Sequence, residues 1–163
     1  MENFDWTAFT IRILVKADLP ALYDAWTKPS EIEKWFLKNA VFYNAGREID
    51  KENSIKEGFT YEWKWYLYDD LEKGRINVAN GKDFLQFTFA GECLVDVELS
   101  LQEEYVEVKL TQKNIPTDDR NKQYTRLGCH GGWSFYLINL KSVYEGGLDL
   151  RNKDTRFKPM LNN

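Results

Sequence analysis

The sequence predicts an α+β domain in which a curved antiparallel sheet of six or seven strands wraps a long C-terminal helix. Between about residues 40 and 113, several runs alternate apolar and polar residues, which is typical of strands with one covered and one solvated face. After Pro116 the apolar residues recur at helical spacing instead. A sheet with one apolar face needs a cover, and the last helix is the one long enough to provide it.

The N-terminal region predicts one strand followed by two short helices. Residues 9–15 alternate apolar and polar residues, as a half-buried strand does. Apolar residues at helical spacing follow over 19–26, and Pro29 should end that helix because a residue before proline avoids the α region. Ser30 is predicted to cap the second helix, with the glutamate three positions later completing a capping box. This second helix is expected to end near Trp35.

The central region predicts about six strands. The run Phe59–Trp65 alternates strictly, and similar alternation recurs around Phe87, Val97 and Val108. Asn80-Gly81 lies between two of these runs and is a strong signal for a two-residue type I′ hairpin. The partner positions carry charged residues, glutamine or threonine, so one face of the sheet should be solvated.

The C-terminal helix is predicted to run from about residue 118 to 145. An apolar stripe with spacing i, i+4, i+7 and i+11 follows one face of it, formed by Trp133, Leu137, Leu140 and Tyr144. Two consecutive glycines should end the helix at 146–147. We therefore expect a single domain over residues 1–163, with a core at about 7–147 and an irregular tail at 148–163.

Composition and charge exclude several classes of function. The net charge of -4 argues against a nucleic-acid partner, which normally requires a basic field. No apolar run approaches the roughly 18 residues of a membrane span, so no membrane association is expected. The two cysteines, Cys93 and Cys129, form no disulfide framework. Together with the absence of a recognisable signal peptide, they predict a cytoplasmic protein.

Several local strings resemble the activator of heat-shock-protein-90 ATPase homologue-like family. These strings are Ala25-Trp26-Thr27-Lys28-Pro29 followed by Trp35-Phe36, the segment from Gly132 to Leu137 that continues through Leu140 to Gly147, and Leu148-Asp149-Leu150-Arg151. The family belongs to the START-like (SRPBCC) superfamily, whose fold is the helix-grip of the birch-pollen allergen. The resemblance implies a cavity between sheet and long helix, and no fixed catalytic apparatus. The family name comes from a eukaryotic cochaperone domain.

The sequence contains no recognisable catalytic or metal site. His130 follows Cys129, but neighbouring helical residues point roughly 100° apart and do not face each other. A lone histidine and two scattered cysteines also make no metal cluster. No phosphate-binding loop, dinucleotide fingerprint or nucleophile elbow is present. We therefore predict a protein that is not an enzyme and needs no cofactor.

The aromatic residues, 15% of the sequence, are the strongest functional lead. Rows of rings can fill a core, and they can also line an apolar cavity. Glycines at 128, 131 and 132 remove side chains where the helix should pass over the sheet, which would either open a cavity or permit closer packing. The hydroxyls of two tyrosines could orient a ligand. The predicted cavity wall consists of Tyr61, Trp63, Trp65, Phe87, Phe89, Trp133, Tyr136 and Leu137.

Three functions are compatible with these patterns. The favoured hypothesis is a carrier or sensor for a small hydrophobic or aromatic molecule, which needs an internal cavity of roughly 300 Å³ or more. The alternative is a protein-binding, cochaperone-like module whose partner is a chaperone-type protein, and it needs a surface of about 800 Å². The least favoured is a cyclase- or hydrolase-like enzyme, which needs polar groups converging inside the cavity.

Overall fold

An antiparallel sheet of eight strands forms the body of the computed structural model, which describes residues 4–163. In chain order the strands are β1 (Phe9–Val15), β2 (Asn39–Asn44), β3 (Arg47–Glu48), β4 (Thr60–Lys64), β5 (Glu72–Ala79), β6 (Phe84–Phe89), β7 (Cys93–Gln102) and β8 (Tyr105–Lys113). Their order across the sheet is β1-β8-β7-β6-β5-β4-β2-β3. The α+β prediction is confirmed, and the count exceeds six or seven only through the two-residue β3.

Two short helices follow β1, as predicted: α1 (Leu19–Thr27) and α2 (Pro29–Trp35). The predicted capping box is wrong. Pro29 is the first residue of α2 and Lys28 is its N-cap, because proline is well suited to the first helical position. Ser30 therefore lies inside the helix, and the Glu33 carboxylate instead accepts hydrogen bonds from Lys51 Nζ at 2.7 Å and the Ala40 amide at 3.0 Å.

The hairpin between β5 and β6 forms where predicted, but with a longer loop than a type I′ turn. Residues 80–83 connect the two strands. The Asn80 side-chain oxygen accepts hydrogen bonds from the backbone N–H groups of Lys82, Asp83 and Phe84 at 2.9–3.0 Å. Gly81 has a φ of 75°, whereas a type I′ turn needs a positive φ at both central residues. The side chain of Asn80 thus organises a wider loop than the dipeptide alone predicts.

The C-terminal helical segment covers the sheet as predicted. It begins with π-helical turns over Asn121–Leu127 and continues as α3 (Gly128–Tyr144). Trp133, Leu137 and Leu140 are all buried, which confirms the apolar stripe, whereas Ile138 on the other side of α3 is 53% exposed. No helix within residues 4–163 is long and apolar enough to cross a membrane.

A buried polar residue on the covered face of the sheet forms a hydrogen bond with α3. In β8 every second residue is buried, and the last of these inward positions is Gln112, which is fully buried. The Trp133 indole donates a hydrogen bond of 3.0 Å to the Gln112 side-chain oxygen. Because a buried indole N–H needs an acceptor, this bond sets both the position of the helix and the orientation of the tryptophan ring.

Replacing Trp133 with alanine should therefore destabilise the protein strongly. The side chain is 2% exposed, and truncation of a large buried aromatic typically costs about 3–5 kcal/mol. Ile138→Ala on the exposed side of the same helix is the control and should cost less than about 1 kcal/mol. Urea unfolding followed by circular dichroism measures both. Equal losses in the two variants would show that the helix does not pack on the sheet through Trp133.

Candidate functional site

A cavity of about 450 Å³ lies between the N-terminal half of α3, the ends of β4 and β6, and the tail. Its volume falls within the range of small-molecule sites. It opens toward solvent past residues with exposed side chains, and its floor is formed by buried rings. The lining residues are Phe36, Trp65, Tyr68, Asp70, Phe89, Tyr124, Gly128, Cys129, Gly132, Trp133, Tyr136, Met160, Leu161 and Asn163.

A second depression of about 490 Å³ lies between the start of α1 and the β7–β8 turn. Its walls include Leu101, Glu103 and Glu104, all of which are exposed. A bound molecule would therefore remain largely in water there. The aromatic cavity is the better candidate because its floor can remove a ligand from solvent.

The floor of the cavity is a set of rings in mutual contact. Phe36 lies 5.0 Å from Trp133 and 4.9 Å from Tyr136, measured between ring centroids, and Phe89 lies 5.1 Å from Trp133. Such distances are those of edge-on or tilted aromatic pairs. Because the Trp133 ring is also held by its hydrogen bond to Gln112, the floor cannot easily move inward to close the space.

Glycines in α3 leave the helix side of the cavity open. A Cβ atom placed on Gly132 would meet no atom within 4 Å, and one on Gly128 would meet only a carbonyl of its own helix at 3.9 Å. Both residues line the cavity. Of the two alternatives that the sequence left open, Gly128 and Gly132 thus border free space and do not permit a closer approach of helix and sheet, whereas Gly131 does not line the cavity.

Four of the eight residues predicted for the cavity wall line this space: Trp65, Phe89, Trp133 and Tyr136. The other four lie in the packed core, each at most 3% exposed: Tyr61, Trp63, Phe87 and Leu137. Trp63 contacts the wall from the core side, with its ring 5.4 Å from Phe36 and 6.2 Å from Phe89. The structure thus places this half of the predicted set behind the cavity.

Both tyrosine hydroxyls that were expected to orient a ligand already donate to backbone carbonyls. The Tyr61 hydroxyl donates to Thr88, and the Tyr61 ring lies directly over Gly74, where an added Cβ would be 2.5 Å from it. The Tyr136 hydroxyl donates to the carbonyl of Asn163. Neither hydroxyl is therefore the obvious partner for a bound molecule.

The sequence patterns do not predict several of the residues at the rim of the cavity. Tyr68 and Asp70 lie in the β4–β5 loop, Tyr124 lies in the π-helical turns, and Met160 and Leu161 belong to the tail. None of them follows a strand or helix period, and such a period is the pattern that predicts an inward-facing residue. The tail has no helix or strand, so only its path in space brings it to the cavity.

The tail is held against the domain by Arg151. This guanidinium donates to the carbonyls of Leu37 and Glu33, each at 2.9 Å, and pairs with Asp149 at 2.8 Å. Burial alone would raise the pKa of Asp149, but hydrogen bonds from Arg151 and Lys153 outweigh it and hold this pKa well below its usual value. Its contribution to stability is therefore present above about pH 4 and is lost as the pH falls below that range.

The Cys129–His130 pair does not form a nucleophile. Cys129 lines the cavity, and burial raises the pKa of its thiol to about 11. His130 is exposed and packs edge-on against Phe9, 5.2 Å between ring centroids. Within residues 4–163 no group of three or more His, Cys, Asp or Glu side chains could hold a metal ion.

Arg151→Lys should loosen the tail and destabilise the fold. Lysine cannot reproduce the planar fork that reaches two carbonyls and a carboxylate, and leaving such buried acceptors without donors costs about 1–3 kcal/mol. Arg156→Lys is the matched control, because Arg156 pairs with Asp154 but its side chain is 82% exposed and such pairs contribute little. Thermal and urea unfolding measure the loss of stability in both variants. A loss as small as that of the control would rule out Arg151 as an anchor.

Alkylation of Cys129 by iodoacetamide should be slow at pH 8 and should accelerate about tenfold per pH unit toward pH 11. The thiolate is the reactive form, and the raised pKa keeps it scarce at lower pH. Peptide mapping by mass spectrometry separates Cys129 from Cys93. A rate that levels off near pH 7 would instead identify an activated nucleophile.

Comparison with known proteins places this geometry in context. The sequence profile of the family described as "Activator of Hsp90 ATPase homolog 1-like protein" matches residues 16–145. The matched range ends just before the tail, so the residues that close one side of the cavity lie outside it. Among curated protein sequences none matches significantly.

Solved structures with the same fold span nearly the whole chain. The protein SSP2350 from Staphylococcus saprophyticus superposes with a TM-score of 0.70 at 19% identity, covering 88% of this chain and 96% of that one. The Aha1 dimer from Colwellia psychrerythraea superposes with a TM-score of 0.65 at 19% identity, covering 86% of this chain and 97% of that one. PFC0360w, an HSP90 activator from Plasmodium falciparum, superposes with a TM-score of 0.61 at 18% identity, covering 84% of this chain and 95% of that one. These likenesses confirm the helix-grip fold, and the profile match over 16–145 shows that the chain belongs to the activator of Hsp90 ATPase homologue 1-like family.

Proposed function

We propose that the chain is a non-catalytic binding module that holds a small apolar or aromatic molecule in the cavity beside α3. The observation that carries the proposal is an open space of about 450 Å³ with a floor of buried rings. Apolar cavities of this size with a few polar groups at the edge are the usual form of small-molecule sites.

The apolar surface that a ligand can bury in the cavity limits the affinity of the protein for that ligand. A ligand that buries about 200 Å² of apolar surface gains roughly 5 kcal/mol at about 25 cal/mol per Å². The loss of translational and rotational freedom on binding opposes this gain. A gain of 5 kcal/mol alone corresponds to a dissociation constant of about 0.2 mM, so submillimolar to millimolar binding is the expectation, which suits a carrier or a sensor that must release its ligand.

Catalysis has little support from the cavity. The lining groups that could transfer a proton or attack a substrate are few, and the Cys129 thiol is held in its protonated form by burial. Among the described residues of the lining there is one carboxylate side chain and no histidine, lysine or arginine, so few of the groups that form an active site are present. We therefore favour binding over a cyclase- or hydrolase-like reaction.

A cochaperone-like role is the second candidate. It is favoured by the family to which the chain belongs and by its likeness to an HSP90 activator from Plasmodium falciparum. In this role the partner would be a chaperone-type ATPase, and the measurement is the rate of ATP hydrolysis by that ATPase with and without this protein.

The two free thiols also fit a reducing compartment, so we place the module in the cytoplasm.

Filling the cavity should abolish ligand binding without harming the fold. In Gly132→Leu the new side chain would enter the cavity, where the position of its Cβ is unobstructed. N-phenyl-1-naphthylamine, a neutral aromatic probe whose fluorescence rises in apolar sites, should bind wild type and should bind this variant at least tenfold more weakly.

Gly131→Leu is the matched control for this experiment. Gly131 is the neighbouring residue of the same helix, its Cβ would also be unobstructed, and it does not line the cavity. Probe binding should be retained in Gly131→Leu, and circular dichroism should show both variants folded. Loss of binding in both variants, or in neither, would contradict the cavity as the binding site. Stimulation of a chaperone ATPase that survives in Gly132→Leu would favour the second candidate.

A further inference from the structure

We infer that the cavity selects organic cations: molecules with an apolar or aromatic body and an ammonium group that sits at the rim beside Asp70. This inference rests on the proposed binding function and adds the chemical class of the ligand. It follows from the negative charge of Asp70 and from the negative electrostatic potential at the faces of the aromatic rings in the lining.

Asp70 is the charged side chain of the lining. Among the described residues that border the cavity there is no lysine, arginine or histidine, and Asp70 has the one side-chain carboxylate. Asp70 is exposed, and within residues 4–163 its carboxylate has no hydrogen bond or ion pair. A carboxylate at the mouth of an apolar cavity attracts a cation and repels an anion.

The aromatic rings reinforce this preference. Ring faces carry the negative part of the aromatic quadrupole and attract ammonium groups, most strongly those of tryptophan and tyrosine. Trp65, Tyr68 and Tyr124 line the cavity together with Asp70. The exposure of Tyr68 and Tyr124 leaves their rings accessible to a head group. The carboxylate and the accessible rings of the lining therefore favour the same sign of charge in a ligand.

Two of the basic residues near the cavity, Lys153 and Arg126, contact other groups. Lys153 pairs with Asp149 at 2.8 Å and lies over the Tyr66 ring at 5.2 Å. Arg126 follows Tyr124 in the π-helical turns, but its guanidinium packs over Phe9 at 4.8 Å and is buried there. Neither of these cations lines the cavity, so Asp70 has the charged side chain that a ligand in the cavity would meet.

Three ligands with one ring system test the inference: 2-naphthylmethylammonium, 2-naphthalenemethanol and 2-naphthoate. Their dissociation constants are measured by calorimetry in low salt. The ammonium compound should bind about five- to thirtyfold more tightly than the alcohol, and the carboxylate should bind most weakly. Added sodium chloride should reduce this advantage of the cation, because the charges meet at an exposed site.

Asp70→Asn tests the residue itself. The ratio of the alcohol's dissociation constant to that of the ammonium compound should fall at least threefold. Asp69→Asn is the matched control, because it makes the same charge change one residue away, at an exposed side chain that borders a neighbouring shallow groove. It should leave the ratio within about 1.5-fold of wild type.

The outcomes separate the inference from the function on which it rests. If the alcohol binds and the ammonium compound has no advantage, the cation preference is overturned and the cavity remains a binding site. An equal effect of Asp69→Asn and Asp70→Asn also overturns it, because the general charge of the surface would then be responsible. If none of the three ligands binds at millimolar concentration, the proposed binding function itself fails.

Discussion

The contact of Phe36 with the rings around it is the interaction on which the site depends. Phe36 is the residue after α2, and it is buried between β4 and α3. Its ring lies 4.9–5.5 Å, between centroids, from five others: Trp35, Trp63, Trp65, Trp133 and Tyr136. One side chain thus joins a short helix, a strand and the long helix, so the three elements keep a common position.

The same cluster forms the core and the wall of the cavity. Aromatic rings are rigid, and close-packed interiors have few ways to move them without loss of contact. The hydrogen bond from Trp133 to Gln112 adds a directional restraint at the centre. Free space beside these rings persists because Gly128 and Gly132 supply no side chain to fill it. A cavity of this kind is compatible with a stable fold because its floor is packed on the side away from the opening.

The tail completes the cavity from outside the region shared with the family. Arg151 fixes its start by donating to the carbonyls of Leu37 and Glu33, and the Tyr136 hydroxyl holds its far end at Asn163. Between these two anchors, Met160 and Leu161 come to the rim, where Leu161 remains 69% exposed. The family profile ends at residue 145, so the tail part of the rim lies outside the matched region, whereas Tyr68, Asp70 and Tyr124 lie within it.

The sequence by itself determined the α+β class, the order of the elements and the apolar stripe of α3, because these depend on local periods of two and about 3.6 residues. The same periods also identified Trp133, Phe89 and Trp65 as inward-facing residues. Tertiary structure alone decided which inward-facing rings meet other rings and which border free space. Tyr61 and Trp63 have the same alternation as Trp65, yet they are packed in the core, whereas Trp65 lies beyond the last paired residue of β4. The positions of Asp70 and of the tail at the cavity could not be predicted either, because an exposed loop and an irregular segment have no period. The path of the tail depends on Arg151, which is distant in sequence from the carbonyls that it binds.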